Sequence, residues 1–143
     1  MNAPQSTLFS SMAQRYRQIG NGTAVDSASP HRLITLLFDG LLESLSQARF
    51  AIRNKKIEAK THAINRAISI TVQGLKGGLN LKDGGEIAQR LDALYAYVSV
   101  RLSHANLRND EAAIEECQRL IEPIREAWVT IGTYPEVTMG AGA

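Results

Sequence analysis

The segment from Glu86 to Leu107 carries apolar residues at helical spacing on two opposite sides, whereas a chain of 143 residues needs only one such side for its core. The first stripe, which predicts the inward face, consists of Ile87, Leu91, Leu94, Tyr95, Val98, Leu102 and Ala105. The second stripe consists of Ala93, Ala96, Tyr97, Val100 and Leu107. These residues lie roughly opposite the first stripe when each position advances by about 100°. A surplus apolar face is buried in an assembly or kept for a partner, so this helix predicts a docking surface.

Composition indicates one globular domain, because 44% of the residues are hydrophobic and 21% are charged. The net charge of +2 comes from interspersed basic and acidic residues, which does not indicate nucleic-acid binding. Cys117 is the single cysteine, which excludes an internal disulfide framework and favours a reducing compartment. No apolar run approaches the roughly 20 residues that span a bilayer, and residues 1–19 lack the apolar core of a secretory signal. The sequence therefore predicts a cytoplasmic protein without membrane insertion.

Helix start signals divide the chain. Ser29 can accept an orphan amide hydrogen bond and Pro30 fits the first helical position, so a helix begins there. Gly84 and Gly85 mark a break, and Asp110 or the asparagine before it can cap a last helix. The predicted helices cover about residues 30–54, 56–79, 86–107 and 110–131. Short connections make neighbouring helices antiparallel, so we predict an all-α, antiparallel up-down four-helix bundle at 29–132, a flexible N-terminal arm at 1–28 with room for a short extra helix, and a disordered tail at 133–143.

The other three helices also have inward stripes at helical spacing. In the first helix the stripe consists of Leu33, Ile34, Leu37, Phe38, Leu41, Leu42, Leu45, Ala48 and Ile52. In the second it consists of Ile57, Ile64, Ala67, Ile68, Val72, Leu75 and Leu79. In the fourth it consists of Cys117, Leu120, Ile121, Ile124, Ala127, Trp128 and Ile131. Trp128 is expected to be buried and to anchor the fourth helix, and Pro123 is expected to bend it.

The second helix has an off-core row of small and apolar residues, formed by Ala59, Ala63, Ile70, Gly74 and Gly77. Together with the second stripe of helix three, this row predicts a groove for an amphipathic partner helix. The same residues also suit a tolerated surface, or a face that closes a homodimer. Leu36 and Phe50 lie off the inward arc of helix one and are predicted to be isolated exposed apolar residues.

Catalytic signals are weak. His31, His62 and His104 lie on different helices without metal-ligand spacing. The carboxylates of Asp39 and Glu43 share a helix face, but no third group identifies acid and base roles. We therefore predict no enzyme, no catalytic residue, no metal and no cofactor. A small enzyme stays an alternative, which would require convergent polar groups in a pocket.

Ordered motifs resemble the flagellin export chaperones, the FliS family of bacterial flagellar assembly. They are Tyr16 with Val25 and Ala28-Ser29-Pro30, Leu36-Leu37-Phe38-Asp39-Gly40, Gly84-Gly85-Glu86-Ile87-Ala88, Leu94-Tyr95 with Tyr97, and Ala105-Asn106-Leu107-Arg108-Asn109-Asp110 leading to Ala127-Trp128. The chain departs from the usual family pattern at Ala96, Val98 and Cys117. The resemblance covers roughly residues 16–131.

This resemblance implies a helical bundle that binds the disordered C-terminal segment of flagellin, prevents premature polymerisation and delivers flagellin to the export gate protein FlhA. It leaves room for other flagellar regulators as partners. The candidate groove residues are Ile70, Gly74, Ala93, Ala96, Tyr97, Val100 and Leu107, with Leu36 and Phe50 as weaker candidates. Tyr16 and Ile19 are the candidates for the export-gate contact. The apolar residues of the arm could also shield the exposed stripe in the free protein.

Overall fold

The computed structural model describes residues 28–132, which form an all-α bundle. Helix α1 covers Pro30–Arg53, and α2 covers Ile57–Ser69 and continues without a break as a π-helical segment, Ile70–Lys76. Helix α3 covers Gly85–Arg108, and α4 covers Glu111–Ile131. The predicted helical bundle is confirmed. The predicted arm, apart from its last residue, and the predicted tail lie outside the described residues.

Local side-chain caps set the starts of α1 and α4. The Ser29 hydroxyl accepts a hydrogen bond from the Arg32 amide at 3.1 Å, and Pro30 occupies the first turn. The Asp110 carboxylate accepts from the Ala113 amide at 3.3 Å. Both caps satisfy amides that have no partner inside the helix, so the two predicted helix starts are confirmed.

Pairs of residues across the helix interfaces show that sequential helices run antiparallel. Gly74 near the end of the second helix faces Leu37 near the start of α1. The Lys76 ammonium lies 3.0 Å from the Asp92 carboxylate, which joins the end of the π segment to the first half of α3. The Cys117 thiol lies 4.0 Å from the Val98 carbonyl, between α3 and α4. Because α1 also packs against α4, the helices form a closed ring in chain order.

The core contains the predicted inward residues of α3 from Tyr95 onward, together with matching positions on the other helices. Val98, Leu102 and Ala105 are fully buried. Cys117 is buried as predicted, and burial raises the pKa of its thiol to about 12. Burial likewise raises the pKa of Tyr95 to about 12. Among the described residues, no helix is both long and apolar enough to cross a membrane.

Five residues that were predicted to face inward are exposed: Ile57, Val72, Ile87, Ala127 and Ile131. Ile57 is the first residue of α2. At the opposite end of the bundle, Ile87 lies in the first turn of α3, and Ile131 is the last residue of α4. Val72 lies in the π segment, where the Gly77 amide donates to the Val72 carbonyl at 2.9 Å in an i to i+5 bond. A π turn contains more residues than an α turn, so a projection with 3.6 residues per turn places Val72 on the wrong face, although Leu75 is buried as predicted.

Candidate binding site

The second apolar stripe of α3 faces outward, as predicted. Val100 is 66% exposed and Leu107 is 77% exposed. Ala93 and Tyr97 are also exposed, while Ala96 is half-buried. We call these five residues the α3 outer stripe. Isolated exposed apolar residues are ordinary on protein surfaces, whereas a row along one helix face is a candidate interaction surface.

The second helix was predicted to contribute exposed residues to this surface, and this prediction is wrong. Ile70 is buried, and Gly74 is buried against α1. A β-carbon added at Gly74 would lie 3.1 Å from the Leu37 side chain. Gly74 therefore lets α1 and the second helix approach closely, and it is not part of an exposed groove.

Leu36 was predicted to be exposed and is instead buried, with 7% exposure. The reason is the number of neighbours around α1, which packs against α2, the π segment and α4. This arrangement buries a wider arc than one apolar stripe. Phe50 is exposed as predicted, and the Lys56 ammonium lies 5.9 Å from the centre of its ring.

A charged cluster borders the α3 outer stripe on the side of α4. The Tyr97 hydroxyl donates to the Glu116 carboxylate, and the Arg101 guanidinium donates to its other oxygen at 2.8 Å. Both hydrogen bonds lower the pKa of Glu116, and the bond from Tyr97 has the larger effect. The same bond to Glu116 raises the pKa of Tyr97. The cluster fixes the Tyr97 ring at the edge of the stripe.

A second apolar surface, which the sequence analysis did not identify, is a pocket of about 530 Å³ at the end of the bundle where α1 begins and α4 ends. Almost all of its lining is apolar, and α1, the π segment, α3 and α4 contribute to it. Its lining consists of Ile34, Phe38, Leu75, Gly78, Leu79, Ile87, Leu91, Tyr95, Pro123, Ile124, Ala127, Trp128 and Ile131. We call this the end pocket.

Most residues of the end pocket were predicted as ordinary core. The pocket exists because two apolar stripes extend past the buried core. The stripe of α3 extends from Tyr95 towards the start of that helix, and the stripe of α4 extends from Ile121 towards its end. Neighbouring helices do not fully cover either stripe there. Ile87 is 73% exposed at its rim. Periodicity reports which side of a helix is apolar, but it does not report whether a neighbour covers it along its whole length. Pro123, from which only a bend of the fourth helix was predicted, lies inside α4 and lines the pocket.

Trp128 lines the end pocket near the end of α4, and His31 in the first turn of α1 packs against it. Their rings are stacked with centroids 4.6 Å apart. The Trp128 indole donates to the His31 carbonyl at 3.0 Å, and Nε2 of His31 lies 2.8 Å from the Trp128 carbonyl oxygen. Trp128 was expected to be buried, but it is only half-buried because its side chain lines the pocket.

The polar groups of the described residues do not converge in either apolar surface. His104 pairs with Asp110 at 3.3 Å on the bundle surface, and His62 is exposed. Residues 28–132 contain no group of three or more side chains that could hold a metal ion. Tyr16 and Ile19 lie outside the described residues, so their predicted role stays a prediction.

A helical bundle with an apolar outer stripe and an apolar end pocket has the type of surface that helical binding proteins offer to a ligand. Comparisons with known proteins define the class further. The family model described as "Flagellar protein FliS" matches residues 12–134. The chain belongs to this family, whose curated relatives are named flagellar secretion chaperones.

Three relatives illustrate the match. The flagellar secretion chaperone FliS of Salmonella typhimurium is 48% identical over 116 residues, which cover 81% of this chain and 86% of that protein. The chaperone of the same name from Escherichia coli is 42% identical over 80% of this chain and 85% of its own. The chaperone FliSB of Pseudomonas aeruginosa is 40% identical over 80% of this chain and 90% of its own. The predicted family is confirmed, and with it the role of an export chaperone.

Proposed function

We propose that this chaperone binds the disordered C-terminal segment of flagellin in the cytoplasm and prevents premature filament polymerisation. The observation that carries the proposal is the presence of two separate apolar surfaces, the α3 outer stripe and the end pocket. A segment that is disordered when free and forms amphipathic helices when bound could cover both surfaces. Its apolar side chains would then be buried against the chaperone and would not be free to self-associate. The protein acts by binding, without a catalytic step.

Both surfaces suit an amphipathic ligand. The end pocket can receive large apolar side chains, because its wall is almost free of polar groups. The α3 outer stripe is flanked by the polar Arg101 and Glu116, which can contact the polar side of a docked helix. The apolar part of such an interface supplies binding free energy, and the polar border sets the orientation.

The delivery step is a further part of the proposal. We infer that the chaperone presents flagellin to the export gate protein FlhA, and that Tyr16 and Ile19 contribute to this contact. A Tyr16→Ala variant should keep its affinity for flagellin and bind the cytoplasmic part of FlhA more weakly. Equal binding of FlhA by the variant and the parent would argue against this role of Tyr16.

The test of the main proposal is calorimetric titration with a peptide that comprises the C-terminal segment of flagellin from the same organism. We expect saturable binding with a negative heat-capacity change, since apolar surface is buried as the peptide orders. Lack of binding at high micromolar peptide concentration would contradict the choice of partner, although the family assignment would stand.

Charge substitutions separate the two surfaces. Val100→Glu alters the α3 outer stripe and Ile87→Glu alters the rim of the end pocket, and both side chains are exposed. Each variant should bind the peptide at least tenfold more weakly with nearly unchanged thermal stability. Ile57→Glu is the matched control for the pocket, because Ile57 is an exposed isoleucine at the other end of the bundle. If Val100→Glu unfolded the protein, the outer stripe could not be a free docking face.

A further inference from the structure

The chain leaves α4 at the wall of the end pocket. Ile131, the last residue of α4, lines this pocket. The amide of Gly132 donates to the Trp128 carbonyl at 3.2 Å. A β-carbon at Gly132 would collide with the His31 ring, so the main chain at this position is held directly against the start of α1. The residues that follow therefore begin at the rim of the pocket.

The residues beyond Gly132 have the chemistry of a short apolar ligand. They read Thr-Tyr-Pro-Glu-Val-Thr-Met-Gly-Ala-Gly-Ala and carry a single charged side chain, Glu136. Tyr134, Val137 and Met139 are the large apolar members. Pro135 has no amide hydrogen and disfavours the helical conformation at the residue before it, so α4 cannot continue through this sequence. Three apolar side chains thus follow the helix end closely in the sequence.

A short tether favours this segment over the other end of the chain as an occupant of the pocket. Only Gly132 and Thr133 separate Ile131 from Tyr134, whereas residues 26–29 separate Pro30 from Val25, the nearest large apolar residue before α1, and residues 20–29 separate it from Ile19. Each extended residue spans at most about 3.3–3.6 Å, so Tyr134 stays near the pocket mouth in any conformation. The effective concentration of a tethered ligand falls as the tether lengthens.

We propose that residues 134–139 occupy the end pocket in the free protein as an intramolecular ligand, with Tyr134, Val137 and Met139 against its apolar wall. The contact itself follows from the pocket and the exit point of α4. Its regulatory consequence rests on the proposed function, because the export substrate must displace the tail to use the pocket.

A fluorescent label tests the contact in the full-length protein. Thr138→Cys provides one accessible thiol for bimane, because Cys117 is buried and burial raises its pKa. Trp128 is the only tryptophan and lines the pocket, and an indole quenches bimane on contact. We expect strong quenching that Trp128→Phe relieves. Bimane at Ser11→Cys, in the opposite terminal segment, is the matched control and should show no quenching that depends on Trp128.

Two results of the label experiment would overturn the contact. The first is a Thr138 label whose fluorescence does not depend on Trp128. The second is Trp128-dependent quenching of the Ser11 label alone, which would assign the pocket to the N-terminal segment.

Binding measurements test the regulatory consequence. The triple variant Tyr134→Ser, Val137→Ser, Met139→Ser should bind the flagellin peptide at least threefold more tightly, because no tail competes. The matched control Thr133→Ser, Glu136→Gln, Thr138→Ser should bind like the parent. Equal affinities for the first variant and the parent would overturn the regulation. If no variant bound the peptide while the Thr138 label stayed quenched, the proposed function would fail and the tail contact would stand.

Discussion

His31 and Trp128 contact each other reciprocally, with their rings stacked at an interplanar angle of 12°. Nε2 of His31 pairs with the Trp128 carbonyl, and Nε1 of Trp128 donates to the His31 carbonyl. This pair joins the first turn of α1 to the last turn of α4, which are far apart in sequence. Trp128 lines the end pocket, and the His31 ring supports it from behind through the stack. The stability of the pocket wall therefore depends on two residues at helix ends.

Truncation of Trp128 should destabilise the bundle less than loss of a fully buried aromatic residue, which costs about 3–5 kcal/mol. Because Trp128 is half-buried, we expect Trp128→Ala to lower the free energy of unfolding by about 2–3 kcal/mol. Trp128→Phe keeps a ring and loses one hydrogen bond, so its cost should be about 0.5–1.5 kcal/mol. Urea denaturation measures both values. Equal losses for the two variants would mean that the ring stack contributes little.

The two sides of α3 can be compared with the same substitution. Leu102 is fully buried and Leu107 is 77% exposed. We expect Leu102→Ala to lower the free energy of unfolding by about 2–5 kcal/mol, since it removes core contacts and leaves a cavity. Leu107→Ala should change it by no more than about 0.5 kcal/mol. Chemical denaturation of both variants checks this, and a large loss for Leu107→Ala would contradict the orientation of α3.

Arg49 connects α1 to three side chains of α4. Its guanidinium donates to Glu111 at 3.1 Å, to Glu115 at 2.9 Å and to Gln118 at 2.8 Å. A lysine cannot reproduce this planar fork, so Arg49→Lys should lower the free energy of unfolding by about 1 kcal/mol.

The control for Arg49→Lys is Arg90→Lys, since Arg90 pairs with Glu86 on the same helix and both side chains are largely exposed. Such pairs contribute little to stability, so this change should stay within about 0.5 kcal/mol. Equal effects in thermal denaturation would show that the three-way contact of Arg49 adds nothing beyond an ordinary surface pair.

Acid should weaken the bundle through Glu116 and Glu111. Hydrogen bonds from Tyr97 and Arg101 lower the pKa of Glu116, and those from Arg53 and Arg49 lower the pKa of Glu111. Below the ordinary value of 4.5, the unfolded chain binds protons that the folded carboxylates still resist. Their contribution is therefore present above that pH and is lost as the pH falls through the lowered values.

We expect the parent protein to lose stability progressively below about pH 4.5 and Glu116→Gln to show a shallower loss. Tyr97→Phe removes the largest cause of the Glu116 shift and should also make the loss shallower. Denaturant unfolding at a series of pH values measures the slope. Identical slopes for the parent and Glu116→Gln would contradict this role of the carboxylate.

The α3 outer stripe could be predicted from the sequence because periodicity along one unbroken α-helix assigns each residue to a side. Val100 and Leu107 are exposed as that pattern indicated, and Val98 is buried. The same method failed for Ile70 and Gly74 because the second helix packs closely against its neighbours, which buries more than its one predicted stripe. It failed for Val72, where the helix has changed to π geometry. A change in hydrogen-bond register and the distance to a neighbouring helix are tertiary effects that no single-helix pattern contains.

The sequence alone determined the helical architecture, since the caps at Ser29 and Asp110 and the apolar repeats act over one or two turns. It also determined the family. The tertiary structure decided how completely each apolar stripe is covered, because coverage depends on neighbouring helices. Thus Leu36 is buried, Ile87 is exposed and the end pocket is open. Lys60 shows the same limit: its buried ammonium donates to the Asn106 carbonyl at 2.8 Å, a partner that only the packing of α2 against α3 supplies.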